Sequence, residues 1–228
     1  MALYAISDLH LSLGVNKPMD IFGSRWDNYV ERLRTNWQNT VGKEDTVVLP
    51  GDFSWATYIK DTKKDFEFLD SLNGKKIISK GNHDYWWETM SKMNGFLKEN
   101  DFSSVSFLQN NSFIYNDIAI CGTRGWVFPD NDENEKMYQR EAARLELSLS
   151  SAEPGKRKFV FLHYPPIVRD NLENEFTRIM KRYGVELCVY GHLHAKSSQY
   201  AVTGNVDGIK YLLVSCDYME FMPIKLSD

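Results

Sequence analysis

The stretch Thr46-Val-Val-Leu-Pro-Gly-Asp52 decides the fold, because a short β-prone run stops at a turn and leaves a carboxylate immediately beyond it. Continuous apolar runs this short, rich in β-branched residues and bounded by Gly or Pro, read as buried strands of a parallel sheet. The same device stands on either side. Leu3 to Ser7 runs into Asp8-Leu-His10, and Lys76 to Ser79 runs into Lys80-Gly-Asn-His-Asp84. Between these runs Trp26, Tyr29, Val30, Leu33 and Trp37 recur at helical steps, and Phe66, Leu69 and Leu72 mark a second amphipathic stretch. Strand, helix and strand at this spacing imply parallel pairing, so the residues just past each strand collect along one edge of the sheet, where ligands of α/β folds bind.

Further along, Tyr85 to Asn100 reads as a helix, and Val105 to Leu108 and Phe113 to Tyr115 as an antiparallel pair turning at Asn110-Asn111. Ile118 to Cys121 adds a strand, Glu135 to Leu149 a surface helix, and the acidic run Asp130 to Glu135 a solvated loop. Phe159 to Leu162 and Leu187 to Tyr190 repeat the opening device, with His163 and Gly191-His192-Leu-His194 directly after them. Tyr200 to Val202 and Ile209 to Val214 read as closing strands around a turn-rich segment. No repeat, low-complexity tract or linker interrupts the 228 residues, 43% of them apolar, so one α/β domain spanning residues 1–228 is expected.

The formal net charge of −4 excludes the whole-chain footprint of a non-specific nucleic-acid binder, though not a local basic groove. Three cysteines, at 121, 188 and 216, fall in or beside strand-like runs and argue against a disulfide framework. The first residues lack a basic region and their apolar run is cut by Asp8, and nowhere do eighteen apolar residues run together, so a cytoplasmic protein without membrane attachment is expected.

The five histidines carry the chemistry, since all of them sit in short polar signatures past strand ends: Asp8/His10, Asn82/His83/Asp84, His163 and His192/His194, with Asp52 at a further strand end. Singly these signals are weak. A lone Asp after a strand usually caps a turn, a lone His163 before Tyr164-Pro-Pro166 reads as a bonded core imidazole, and chance supplies about 0.1 H-x-H per chain of this composition. Their joint placement at one predicted edge reverses that reading toward a metal site.

The ordered set D-x-H, G-D, G-N-H-D, H and G-H-x-H, from Asp8 to His194, resembles the calcineurin-like metallophosphoesterase family. The resemblance implies a four-layer αββα sandwich of two mixed β-sheets flanked by helices, with two metal ions at the sheet edge. It implies one ion held by Asp8, His10, Asp52 and His194, and a second by Asp52, Asn82, His163 and His192, with Asp52 bridging. It also makes His83 the candidate general acid, oriented by Asp84. Residue chemistry agrees, because a carboxylate can serve two cations whereas an imidazole nitrogen serves one. Mixed nitrogen and oxygen donors suit manganese, iron or zinc, divalent or trivalent, over calcium or magnesium. Ions ~3.5–4 Å apart acidify a bridging water, and the centre attracts a phosphate.

Two departures narrow the expectation. Protein serine/threonine phosphatases carry G-D-x-x-D-R-G and G-N-H-E, whereas Trp55, Ala56 and Asp84 stand here, and lipid A precursor hydrolases carry Arg where this chain has His83. A small phosphorylated substrate is expected, a monoester or diester. Arg124, in a Gly-rich turn after a strand, is a candidate phosphate clamp. Tyr85-Trp-Trp87 reads as core packing with stacking on a base or aryl group as the alternative. Competing readings are a binding or regulatory protein on the same fold and an amidohydrolase, whose H-x-H belongs to the first strand of a larger barrel.

Overall fold

A computed structural model describes residues 1–228. In chain order the elements are β1 (Leu3–Ala5), α1 (Tyr29–Thr40), β2 (Thr46–Pro50), α2 (Lys63–Ser71), β3 (Lys75–Ser79), α3 (Met90–Glu99), β4 (Val105–Phe107), β5 (Phe113–Tyr115), β6 (Ile118–Thr123), α4 (Asp132–Ser150), β7 (Arg157–Leu162), α5 (Glu175–Arg182), β8 (Val185–Tyr190), β9 (Gly204–Val206), β10 (Ile209–Leu213) and β11 (Ile224–Ser227). They form two mixed sheets, in the orders β11-β1-β2-β3-β4 and β5-β6-β7-β8-β10-β9. Strands β1 to β4 are mutually parallel, as are β6, β7, β8 and β10, and each sheet carries antiparallel strands only at its edges.

Three apolar layers hold the sandwich. Leu3, Ala5, Val48, Phe159, Phe161 and Val189 fill the space between the sheets. Tyr29, Leu33 and Trp37 of α1, with Phe66 and Leu69 of α2, cover the outer face of the first sheet. Tyr138, Ala142 and Leu145 of α4, with Phe176 and Met180 of α5, cover the second. Burying each such side chain contributes roughly 1.5–3 kcal/mol, and β2, buried along its whole length, has no polar face to spare. The expected αββα layering is therefore the observed one.

At the C-terminal ends of the strands the sheets meet. Ser7 pairs with Ser215, its N–H donating to Val214 O at 2.9 Å, and Cys216 N–H donates to Ser7 O at 2.9 Å. Past its last paired residues, each sheet thus feeds its loops into one seam.

Four local expectations are corrected, and one strand is added. Residues 85–89 are not helical: Trp86 is buried with its indole N–H donating to Asp84, and extended Thr89 precedes α3 at Met90. Strands β4 and β5 do not pair, because β4 lies parallel to β3 while β5 turns back on β6, so Asn110-Asn111 crosses between sheets. The acidic run is largely a helix start: Asn131 accepts the N–H of Asn134 at 2.9 Å, and Asp132, Glu133 and Glu135 fill the first turn of α4, where the helix dipole favours anions. Tyr200 to Val202 is not a strand. Asp207 and Gly208 both adopt positive φ, the two-residue hairpin turn that pairs Val206 with Ile209 and so places β9 directly before them. Finally, β11 was not anticipated.

All three cysteines are buried and unpaired, and no helix is long and apolar enough to cross a membrane.

Candidate metal centre

The seam gathers Asp8, His10, Asp52, Asn82, His163, His192 and His194 into one cluster. His10 Nε2 lies 3.2 Å from His194 Nε2 and 3.7 Å from Asp52 Oδ2; His163 Nε2 lies 3.4 Å from that same oxygen. Asn82 Oδ1 stands 2.6 Å from His163 Nε2 and 2.9 Å from His192 Nδ1, and His194 Nε2 reaches Asp8 Oδ1 at 3.0 Å. The backbone is bent to achieve this, since Asp8, His10, Asp52 and His192 all hold positive φ, a region costly for residues with a β-carbon. Two glycines are sterically required: a Cβ on Gly81 would fall 2.1 Å from Asp52 Oδ1, and one on Gly191 2.3 Å from Asp8 Oδ2.

These separations suit a cation. Two ligand atoms about 2.1 Å from a common ion stand about 3.4 Å apart at the tetrahedral angle and about 3.0 Å apart at a right angle. The gap between His163 Nε2 and His192 Nδ1, 3.3 Å, and the two gaps around His10 and Asp52 fall on or near that range. Asp8, His10 and His194 form one group with all ligand atoms within 4.8 Å, and Asp8, Asp52 and His163 form another. Asp8 therefore belongs to both, more than the resemblance gives it.

Supporting contacts fix the donors. His194 Nδ1 donates to Asp217 Oδ1 at 2.8 Å, which leaves Nε2 facing the cluster, and Asp217 is further held by the N–H of Ala195 and by Arg25 at 3.6 Å. His163 Nδ1 faces Pro50 O at 3.2 Å. Ser7 Oγ donates to Asp8 Oδ2, and the N–H of His192 reaches both Asp8 oxygens at 3.1 Å. The His10 ring stacks on Trp55 at 4.9 Å, edges against Trp26, and its carbonyl accepts the Tyr29 hydroxyl at 3.0 Å.

The electrostatics are those of an anion-rich buried site. Burial drives Asp52 well above the ordinary carboxylate range, and Asp84 and Asp8 push the same way. Burial would also raise Asp8, but the charge and hydrogen bond of His194, with His163 and His10, hold it far below. Burial lowers His163 to about 3, whereas His194, with burial opposed by Asp8 and Asp217, is raised to about 10. A carboxylate forced toward neutrality by burial and by neighbouring acids is a group that a cation relieves.

Asp84 does not do what was expected of it. Its buried carboxylate accepts the N–H groups of Asp52, Phe53, Ser54 and Gly81 and the Trp86 indole, at 2.7–3.2 Å, so no acceptor capacity reaches the His83 ring. It ties the loop after β2 to the loop after β3. His83 lies half-buried with its ring 4.5 Å from Trp55, its Nδ1 without a partner, and its N–H donating to Asp52 Oδ1 at 2.8 Å. Burial lowers its pKa, opposing the protonated form that a general acid starts from, while Asp8 raises it. Arg124 points toward Glu141 at 3.4 Å and stacks on Trp126; its backbone carbonyl accepts the N–H groups of His163 and Tyr164. Trp86 and Trp87 pack in or against the core, and Tyr85 stands exposed beside His83. Asp217, Ser7, Tyr29, Trp26 and the stacking of Trp55 were missed. Asp217 had a signal, since Val214-Ser-Cys-Asp217 is one more carboxylate past a strand.

The comparisons fit this geometry. Solved structures with similar folds include a protein of unknown function from Aquifex aeolicus (19% identity, TM-score 0.51, covering 98% of this chain and 95% of that one). They also include a phosphopantetheinyl hydrolase from Mycobacterium tuberculosis (15%, 0.60, 99% and 95%) and a Thermus thermophilus protein (11%, 0.57, 99% and 97%). At these identities the likeness is one of fold. No curated protein matches the sequence. The family described as calcineurin-like phosphoesterase matches residues 1–196, a span that includes every member of the histidine cluster, and the chain belongs to that family.

Proposed function

We propose that the chain hydrolyses a phosphate monoester or diester at a dinuclear metal centre, with Asp8, His10, Asp52 and His194 holding one ion and Asp52, Asn82, His163 and His192 the other. Bound there, ions of manganese, iron or zinc supply Lewis-acid chemistry, activating water and offsetting phosphoryl charge. The observation that carries the reading is the convergence of these seven side chains, drawn from residues 8 to 194, with neighbouring donor atoms 2.6–3.7 Å apart.

The chain's own groups divide the remaining work. Asp52 Oδ1 accepts the N–H of His83, which leaves Oδ2, facing both His10 and His163, as the oxygen that would be available to the ions. Asp217 holds the proton on His194 Nδ1 and keeps Nε2 directed at the cluster. His83 supplies a proton to the leaving oxygen, with Trp55 setting its ring plane. Residues 197–228 belong to the same functional unit, since β9 and β10 extend the second sheet and Asp217 supports His194.

Metal analysis followed by turnover of bis(p-nitrophenyl) phosphate and p-nitrophenyl phosphate tests this. About two ions per chain are expected, with activity lost on chelation and restored by manganese. Fully loaded protein that turns over neither ester would overturn it in favour of a binding role.

A further inference from the structure

A cavity of about 230 Å³, lined by Lys80, Arg124 and Arg144, opens on the same end of the sheets as the histidine cluster. The two share backbone. Lys80 stands two residues before Asn82, which confines their α-carbons to within about 7 Å. Arg124 O accepts the N–H groups of His163 at 3.0 Å and Tyr164 at 2.9 Å.

The charge in this cavity is unbalanced. Fully buried Glu141 gives Oε2 to the Thr123 hydroxyl at 2.5 Å and shares Oε1 between Arg144, at 2.6 Å, and Arg124, at 3.4 Å. Glu88, the other acid on the wall, is engaged by Lys92. Lys80 has no carboxylate within ion-pair distance, and Arg124 Nε is buried without a partner. Trp87 donates to Gln109 Oε1 at 2.8 Å, which occupies the oxygen of that amide and leaves its NH₂ undonated. Three cations of the wall therefore have between them one carboxylate not taken by another cation, Glu141, and unspent N–H donors remain among them. Guanidinium, ammonium and amide donors in that arrangement recognise an oxyanion and reject a cation or an apolar group.

We propose that the cavity is a second phosphate subsite, so that the substrate carries two phosphates: one at the histidine cluster, where it is cleaved, and one held between Lys80, Arg124 and Arg144. The assignment of the cleaved group rests on the phosphoesterase reading; binding of the second phosphate does not require turnover. The substrate class is then a small bisphosphorylated molecule.

Titration calorimetry tests it on the manganese-supplemented protein, using α,ω-alkylene bisphosphonates with two to six methylenes against alkyl monophosphonates of matched length. Wild type should prefer the bisphosphonate of one length by roughly 10-fold or more, the strength of a charge-assisted contact. Lys80→Met and Arg144→Met, both at partly exposed positions, should each cut that preference below about threefold without changing monophosphonate affinity; Lys80→Met should also leave the melting temperature unchanged, whereas Arg144→Met, which removes a partner of buried Glu141, should lower it. Equal binding of mono- and bisphosphonates by wild type at every length, or an unchanged preference in both variants, would overturn the subsite. Selective binding without ester turnover would keep the subsite and discard the phosphoesterase. Ester turnover without selectivity would do the reverse.

Discussion

His163 directly follows β7 and His194 lies shortly beyond β8, yet their surroundings differ. The Nδ1 of His194 is hydrogen-bonded to the carboxylate of Asp217 at 2.8 Å, while that of His163 faces the carbonyl of Pro50 at 3.2 Å and lies 3.9 Å from Asp8 Oδ1. Burial lowers both, but Asp8 and the hydrogen-bonded Asp217 together outweigh it and lift His194 to about 10, whereas at His163 burial outweighs the charge of Asp8 and drops it to about 3. One side chain type thus has its proton affinity pushed in opposite directions a few ångströms apart, according to whether a second carboxylate is hydrogen-bonded behind it. The lesson is that the sheet edge decides where a donor stands, and the residue behind it decides how strongly that donor holds a positive charge.

Substitutions can break or sharpen this contrast. Asp52 faces both halves, so Asp52→Asn should weaken both metals together and lower kcat/KM on the order of 10³-fold, about 4 kcal/mol. Wild-type metal content and rate in that variant would show that the halves are independent. His83 belongs to neither half. His83→Ala should leave metal content intact and slow alkyl esters by roughly 10²-fold or more while slowing p-nitrophenyl esters much less. An equal loss on both would assign the residue an electrostatic or packing role. Asp217→Asn touches one half only, and should reduce the occupancy of a single ion, with roughly 10- to 100-fold weaker binding in metal titration. Loss of both ions would erase the distinction drawn between His163 and His194.

A further expected effect concerns stability alone. Asp65 accepts the N–H of Leu13 at 2.8 Å and the hydroxyl of Ser54, joining the loop after His10 to the loop after Asp52. Burial raises its pKa from 3.8 to about 6, against the opposing pull of those donors. A carboxyl raised in the folded state contributes stability that is fully present below its unfolded value and is lost as pH rises through the folded one. Urea unfolding should show wild type losing up to about 3 kcal/mol relative to Asp65→Asn between about pH 4 and about pH 7. A flat difference across that window would mean that Asp65 titrates normally.

The strand ends were legible because each one couples a buried apolar run to a polar signature, and both halves of that signal are local. Asp8, His10, Asp52, Asn82, His163, His192 and His194 could be named from the chain for that reason. The role of Asp84 was not legible, since nothing in G-N-H-D distinguishes a carboxylate aimed at a ring from one that collects backbone N–H groups of a separate loop. Strand partners were equally hidden: β4 and β5 carry good strand sequences, and only the sheets they join separate them. Trp26 and Tyr29 announce a helical stripe but not that its near end backs His10.

Strand β1 takes one neighbour from β2 and the other from β11, and Asp8, just beyond it, is held by a peptide N–H from His192. On the ribosome, the first strand must therefore wait for residues made more than two hundred positions later before its outer edge is covered. The nascent chain carries an exposed edge until β11 has been made, and contacts so distant in sequence form slowly. The cluster at the seam should accordingly be completed only late in synthesis, once His192 and His194 and the edge strand β11 have been made.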